Sequence, residues 1–127
     1  MPRQFTQHYS LAEARALLPQ IRLWLDALEE CADRIKTLDK RVTALLEEGR
    51  DAGGKPVNEL IRALAECREL LMEFQRREIQ IKDLKRGLID FPSLREGREI
   101  FLCWEREEED IEYWHDLETG YAGREPL

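Results

Sequence analysis

Long apolar runs are missing from this 127-residue chain. No stretch approaches the roughly 20 residues that a bilayer-spanning helix needs, and Met1 to Ser10 lacks the apolar core of a secretion signal. No membrane association is expected, and a cytoplasmic location is. Cysteine is sparse as well: Cys31, Cys67 and Cys103 stand far apart with no C-x-x-C pair, which argues against a disulfide framework and against a cysteine-rich zinc site. Reduced thiols are expected. Nor is there a surplus of basic charge. With 20 Lys and Arg against 27 Asp and Glu, the formal net charge is -7, and phosphate binding needs the opposite balance on one face. Nucleic acid is therefore not an expected partner. No metal, phosphate or nucleophile motif of high specificity is present, so no cofactor is evident and the balance leans away from an enzyme.

What is present is a pattern. Charged residues make up 37% and hydrophobic ones 43% of the chain, the composition of a helix-rich protein of one domain. Ser10-Leu11-Ala12-Glu13 reads as a capping box, serine hydroxyl to the amide of residue 13 and glutamate back to the cap amide. From there Leu17, Ile21, Trp24, Leu28, Cys31, Ile35, Leu38, Val42 and Leu45 alternate steps of four and three, the rhythm of a coiled-coil seam. Leu11, Leu18, Leu25 and Leu46 widen the stripe. Pro19 removes one amide from the ladder, and a bend is expected there.

Gly49 supplies a stop, Arg50 to Lys55 with Gly53-Gly54 a turn, and Pro56 the start of a second helix. Val57, Leu60, Leu64, Cys67, Leu71 and Phe74 continue the spacing as its seam. The helical hairpin thus covers about 10–78. At Ile79-Gln80-Ile81 the period changes to two, and Ile79 to Lys82 reads as a strand; a helix continuing to Arg86 is the alternative. Cys31 and Cys67 lie on the seams and read as small buried hydrophobes.

Asp83 to Gly87 carries turn chemistry, and Leu88 to Phe91 returns as a strand that Pro92 should end. Arg98 to Trp104 and Ile111 to His115 follow, flanking the acidic loop Glu105 to Asp110. The expected fold is α+β: a long antiparallel helical hairpin, coiled-coil-like, followed by a small four-stranded antiparallel sheet over about 79–116 and a tail, 117–127. The first helix, at about 38 residues and roughly 57 Å, outruns the second, at about 20 residues and roughly 30 Å. The sheet should therefore pack on its N-terminal half, at Leu11, Leu17, Leu18, Ile21 and Trp24. The surplus apolar stripe points to a homodimeric four-helix bundle.

Candidate chemistry gathers in the last third. Cys103 and His115 could form a nucleophile and base or two metal ligands. A loop pairing Glu105 with Asp110 would place them on opposite faces and give one apolar face, the register the pattern favours; an odd loop would bring them together. Asp90, inside the apolar run Leu88-Ile89-Asp90-Phe91, must meet water or a donor. Arg98 and Arg124 are its candidate partners. Gly120-Tyr121-Ala122-Gly123-Arg124 could cradle an anion, although glycines there also serve simple turns. Trp104, Tyr113 and Trp114 read as sheet core. The candidate ligand-binding residues are Asp90, Arg98, His115 and Arg124, and the candidate metal ligands Asp90, Cys103 and His115.

Taken in order, Phe5-Thr6, Leu17-Leu18-Pro19, Lys82-Asp83, Gly87-Leu88-Ile89-Asp90-Phe91-Pro92, Gly97-Arg98-Glu99-Ile100, Leu102-Cys103-Trp104, Tyr113-Trp114-His115 and Gly120-Tyr121-Ala122-Gly123-Arg124 make nearly the whole chain resemble the bacterial family catalogued as domain of unknown function 2203. That family has no established activity, so the resemblance implies no catalytic residues. The chain departs from the family pattern in having Glu78 where a glycine is expected and Arg106-Glu107-Glu108 in place of a glycine-containing turn. Two functions compete. One is a non-enzymatic scaffold assembling through its hairpin and meeting a protein partner at the sheet end; the other is a metal- or small-anionic-ligand-binding domain, which could be an enzyme, with a site at the sheet end made by Asp90, His115 and Arg124 with Arg98 or Cys103.

Overall fold

The computed structural model describes residues 2–50 and 54–127. Two helices, α1 (Leu11–Glu47) and α2 (Lys55–Arg76), precede five strands: β1 (Gln80–Asp83), β2 (Leu88–Arg95), β3 (Arg98–Trp104), β4 (Tyr113–Asp116) and β5 (Glu125–Pro126). The strands form one antiparallel sheet in the order β1-β2-β3-β4-β5. The fold is α+β, as expected, with a fifth strand that the sequence does not announce. Among the described residues, no helix is long and apolar enough to cross a membrane. The chain divides into two compact units, one of the residues up to Leu25 with Glu73–Leu127, the other Asp26–Met72.

In the first unit the capping box forms as read: the Glu13 amide donates to Ser10 Oγ at 3.1 Å and the Ser10 amide to Glu13 Oε1 at 2.8 Å. The helix runs unbroken through Pro19. Ala14, Leu18, Ile21 and Leu25 are buried on its inner side, as are Ile89, Phe91, Ile100, Leu102 and Trp104 of the sheet. Arg22 spreads its guanidinium 4.9 Å from the Trp104 ring and donates to the carbonyls of Arg106 and Glu108. Arg15 donates to Ile111 O at 2.8 Å. The sheet thus covers the N-terminal half of α1. Trp24 departs from that expectation, since it meets Phe74 edge-on at 5.6 Å and Arg77 at 4.8 Å instead.

Pro92 does not end β2. It lies opposite Phe101 in the middle of the β2–β3 ladder. Its carbonyl accepts from the Tyr9 amide at 2.8 Å, so the nitrogen of the same residue also faces away from β3, toward the side where β1 has already stopped at Gln80. The missing amide costs the ladder nothing.

The position where a glycine was expected, Glu78, has φ 58, the left-handed region that side chains enter at a cost. Its carboxylate offsets that cost: Oε1 accepts from the Thr6 amide at 2.8 Å, Thr6 Oγ1 at 2.6 Å and the Gln7 amide at 2.7 Å. Glu99 holds the preceding residues the same way, accepting from the amides of Gln4 and Phe5 and facing His8 Nε2 at 2.9 Å. Two glutamates thereby strap the N-terminal segment to the sheet unit, and Phe5 meets Phe101 edge-on at 5.4 Å.

The second unit is an antiparallel helix pair. Leu38 lies across from Glu59 and Ala63, whereas the earlier Ala27 and Cys31 lie across from Glu66 and Leu70. Leu28, Cys31 and Leu38 are buried, as the rhythm of α1 predicts. On α2 the expected seam holds in part: Phe74 is buried and Val57, Leu60 and Cys67 are half-buried, whereas Leu64 and Leu71 are 49% and 45% exposed and Ala63 takes the buried place beside Leu64. Gly49 ends α1 with φ 69, and the Arg50 amide closes back on Leu45 O, a glycine stop of the expected kind. Gly53, expected in the turn, lies outside the described residues.

Candidate functional site

The β3–β4 register decides where the chemistry sits. Phe101 pairs with His115, Leu102 with Trp114 and Cys103 with Tyr113, one residue away from the apolar-face alignment favoured by the sequence. The reason is the loop. Strand β4 begins only at Tyr113, and Ile111 stays outside the ladder as a fully buried plug, fixed by Arg15 on its carbonyl. Because a one-residue slip exchanges the faces of a strand, Cys103 and His115 share a face rather than lying on opposite sides. Asp90, paired with Cys103, joins them.

These three residues form a buried cluster. Asp90 and His115 are each 2% exposed and Cys103 not at all; one ligand atom from each lies within 4.8 Å of the others. His115 Nε2 stands 3.0 Å from both Asp90 oxygens, and Nδ1 stands 2.7 Å from the Asp116 carbonyl. A carbonyl only accepts, so Nδ1 carries its proton and donates. Nε2 is therefore aimed at the carboxylate, and one further proton lies between them. Burial raises the Asp90 carboxyl above its ordinary value, with the adjoining His115 pulling the other way. Burial, reinforced by the neighbouring Asp90, pushes the Cys103 thiol up to about 12, against the lowering influence of Arg124.

The cluster is not sealed on every side. Asp90 and His115 line a cleft of about 250 Å³ whose walls include Lys82, Phe101, Leu117, Glu118 and Tyr121. Phe101 lies 5.5 Å from the imidazole, ring to ring, and the Lys82 ammonium 5.6 Å from Phe101. A hidden acid–base pair thus meets solvent through a partly aromatic opening. Lys82 and Glu118 were not among the candidates from sequence, and Tyr121 entered only as part of the segment 120–124. The alternation Gln80-Ile81-Lys82, with Gln80 opposite Asp90, is the signal that could have put Lys82 on this face.

The other candidates go elsewhere. Arg98 pairs with Asp116 at 3.2 Å, and Arg124 pairs with Glu108 at 3.0 Å while stacking on Tyr113 and Tyr121 at 4.0 and 4.2 Å. Neither is the partner of Asp90; His115 is. Arg124 does reach the cluster, through Cys103. The tail does not spread its amides for an anion, because Gly123 N and Arg124 N donate to Gly120 O and Tyr121 O in a tight 3-10 turn over Tyr121–Gly123.

A helical hairpin with an antiparallel sheet bearing a buried Asp-Cys-His cluster on one face is the class of protein these features define. The chain belongs to the family described as "Uncharacterized conserved protein (DUF2203)", whose model matches residues 7–127. No curated protein and no solved structure matches it.

Proposed function

We propose that this protein is a small-ligand-binding domain whose site is the cleft over Asp90 and His115. The observation that carries the reading is the placement of a wholly buried acid–base pair at the foot of an opening, since burial of paired polar groups gains a fold little over apolar residues and pockets of this kind are where ligands are oriented. Lys82 supplies a positive charge on the wall, with Glu118 the opposing negative one, and Phe101 and Tyr121 supply flat apolar surface, which suits a small molecule whose carboxylate lies against Lys82 and away from Glu118. The reading is of binding, in a cytoplasmic setting with reduced thiols. Thermal-shift and calorimetric titration of chelator-treated protein with small carboxylates and inorganic phosphate tests it. Binding that weakens about tenfold or more in Lys82→Ala supports the assignment; no response to any of them, or one that Lys82→Ala leaves unchanged, overturns it.

A second reading rests on α2, where Ile61, Leu64 and Leu71 stand 58%, 49% and 45% exposed at spacings that put them along one side of the helix. A second copy of the chain would cover this side in a four-helix bundle, giving the protein a scaffold role alongside the cleft and leaving the sheet end for a protein partner. A monomer mass independent of concentration in light scattering would exclude it.

A further inference from the structure

We infer that Asp90, Cys103 and His115 form a binding site for a divalent transition-metal ion of the zinc class, with one coordination position open to the cleft. The inference rests on reading that cleft as a binding site.

Three observations converge on it. The first is the donor set: one imidazole nitrogen, one thiolate sulfur and one carboxylate oxygen suit a borderline-soft ion such as Zn²⁺ or Co²⁺ and not the all-oxygen preference of Mg²⁺ or Ca²⁺. The second is the spacing. Bonds of about 2.0 to 2.3 Å at tetrahedral angles put ligand atoms about 3.3 to 3.7 Å apart; Nε2 and the Asp90 oxygens are at 3.0 Å, and all three donors fall within 4.8 Å. Small side-chain adjustments close the difference, and the three adjoining strands that carry the donors keep the required backbone in place.

The third is orientation. His115 donates Nδ1–H to the Asp116 carbonyl, the arrangement that fixes the tautomer with Nε2 free to ligate. Arg124 approaches Cys103, where its charge would stabilise a bound thiolate. On binding, the ion takes the place of the proton between Nε2 and Asp90 and displaces the thiol proton, both passing to solvent. Three protein ligands leave one position of a tetrahedron, and the cleft is lined by Asp90 and His115 and not by the fully buried Cys103. An exogenous ligand or water therefore enters from the cleft, where a small carboxylate would bind the metal and face Lys82.

Cobalt substitution tests the site. The full chain, stripped with chelator under reducing conditions, should take up one Co²⁺ and show the strong visible bands of a four-coordinate ion with a thiolate-to-cobalt charge-transfer band in the near ultraviolet. Cys103→Ser should lose the charge-transfer band and bind at least tenfold more weakly, and His115→Gln should lose the four-coordinate spectrum; circular dichroism identifies any variant that fails to fold. If both variants unfold, the wild-type spectrum alone decides. Absence of cobalt uptake, a six-coordinate spectrum, or a charge-transfer band that survives in folded Cys103→Ser would overturn the inference. Small anions that bind the stripped protein while cobalt does not would leave the cleft reading standing and the metal site refuted. Cobalt bound with no anion response would do the reverse.

Discussion

Asp90 and His115, 25 residues apart in sequence and separated in the sheet by β3, meet at 3.0 Å with 2% of each side chain exposed. Removing one member of such a buried pair strands the other, at a cost of about 3 to 5 kcal/mol when the remaining charge is uncompensated. Asp90→Ala should approach that range in urea unfolding. Asp90→Asn should cost less, about 1 to 2 kcal/mol, because its amide still donates to Nε2. In a double-mutant cycle, Asp90→Ala with His115→Ala should fall short of the sum of the single changes by at least about 1 kcal/mol. Additive losses would show that the two residues do not sense each other.

The glutamate strap gives the protein an acid limit. Glu99 is held below the ordinary carboxylate range first by its bond with His8 and then by the Gln4 and Phe5 amides, and Glu78 by Thr6 and the amides of Thr6 and Gln7. A depressed folded value means stability that is complete above the unfolded value of about 4.3 and is lost as pH falls through the lower folded values. The folded state should therefore weaken progressively below about pH 4.3. Glu99→Gln, with one acceptor oxygen where two amides and an imidazole need a pair, should reduce this dependence. Hydrogen exchange at the Gln4 and Phe5 amides should accelerate in that variant at neutral pH, while exchange in α2 stays unchanged.

Much of this architecture was legible in the chain because it is written in local rhythm. The seam of α1 at Ile21, Leu28, Cys31 and Leu38 and the Ser10–Glu13 box depend on neighbours within a turn or two, and the change of period after Glu78 marks the start of the sheet. The candidate cluster was named but placed by the wrong register. Strand β3 is buried on both faces from Ile100 to Trp104, so its apolar residues carry no alternation from which to choose a face. The choice was made by the loop, through Ile111 and Arg15. Strand β5 was hidden for a different reason: Glu125 and Pro126 have poor strand propensity and pair only because Trp114, Tyr113 and Glu112 present an edge to them.

Gly87 is the turn position least able to accept a side chain. Its φ is +66, and a Cβ there would come within 2.7 Å of Arg106 Cβ, an atom close to the backbone that cannot swing aside. Gly49 has a similar φ of +69 with nothing within 4 Å. Gly49→Ala should thus cost only the left-handed penalty, about 1 kcal/mol, and Gly87→Ala that amount plus the displacement of the Arg106 segment. Thermal melts should rank Gly87→Ala as the more damaging by at least about 1 kcal/mol. Equal losses would mean that the loop after β3 moves freely away from the β1–β2 turn.

Leu64 and Leu71 offer the last test, since their exposure on α2 is either an ordinary apolar surface or one side of an interface between copies. Isolated exposed leucines are common and carry little energy. Leucines inserted between two chains each contribute about 1.5 to 3 kcal/mol on burial, and a symmetric contact counts each of them twice. Leu64→Glu with Leu71→Glu should therefore convert a concentration-dependent dimer into a monomer by light scattering and remove the concentration dependence of the melting temperature. Circular dichroism at high dilution should be the same for both proteins, because these side chains leave the buried seam of Leu28, Cys31, Leu38 and Ala63 untouched. A wild-type protein that is already monomeric at the highest concentrations, or a variant as associated as its parent, would remove α2 as an assembly surface.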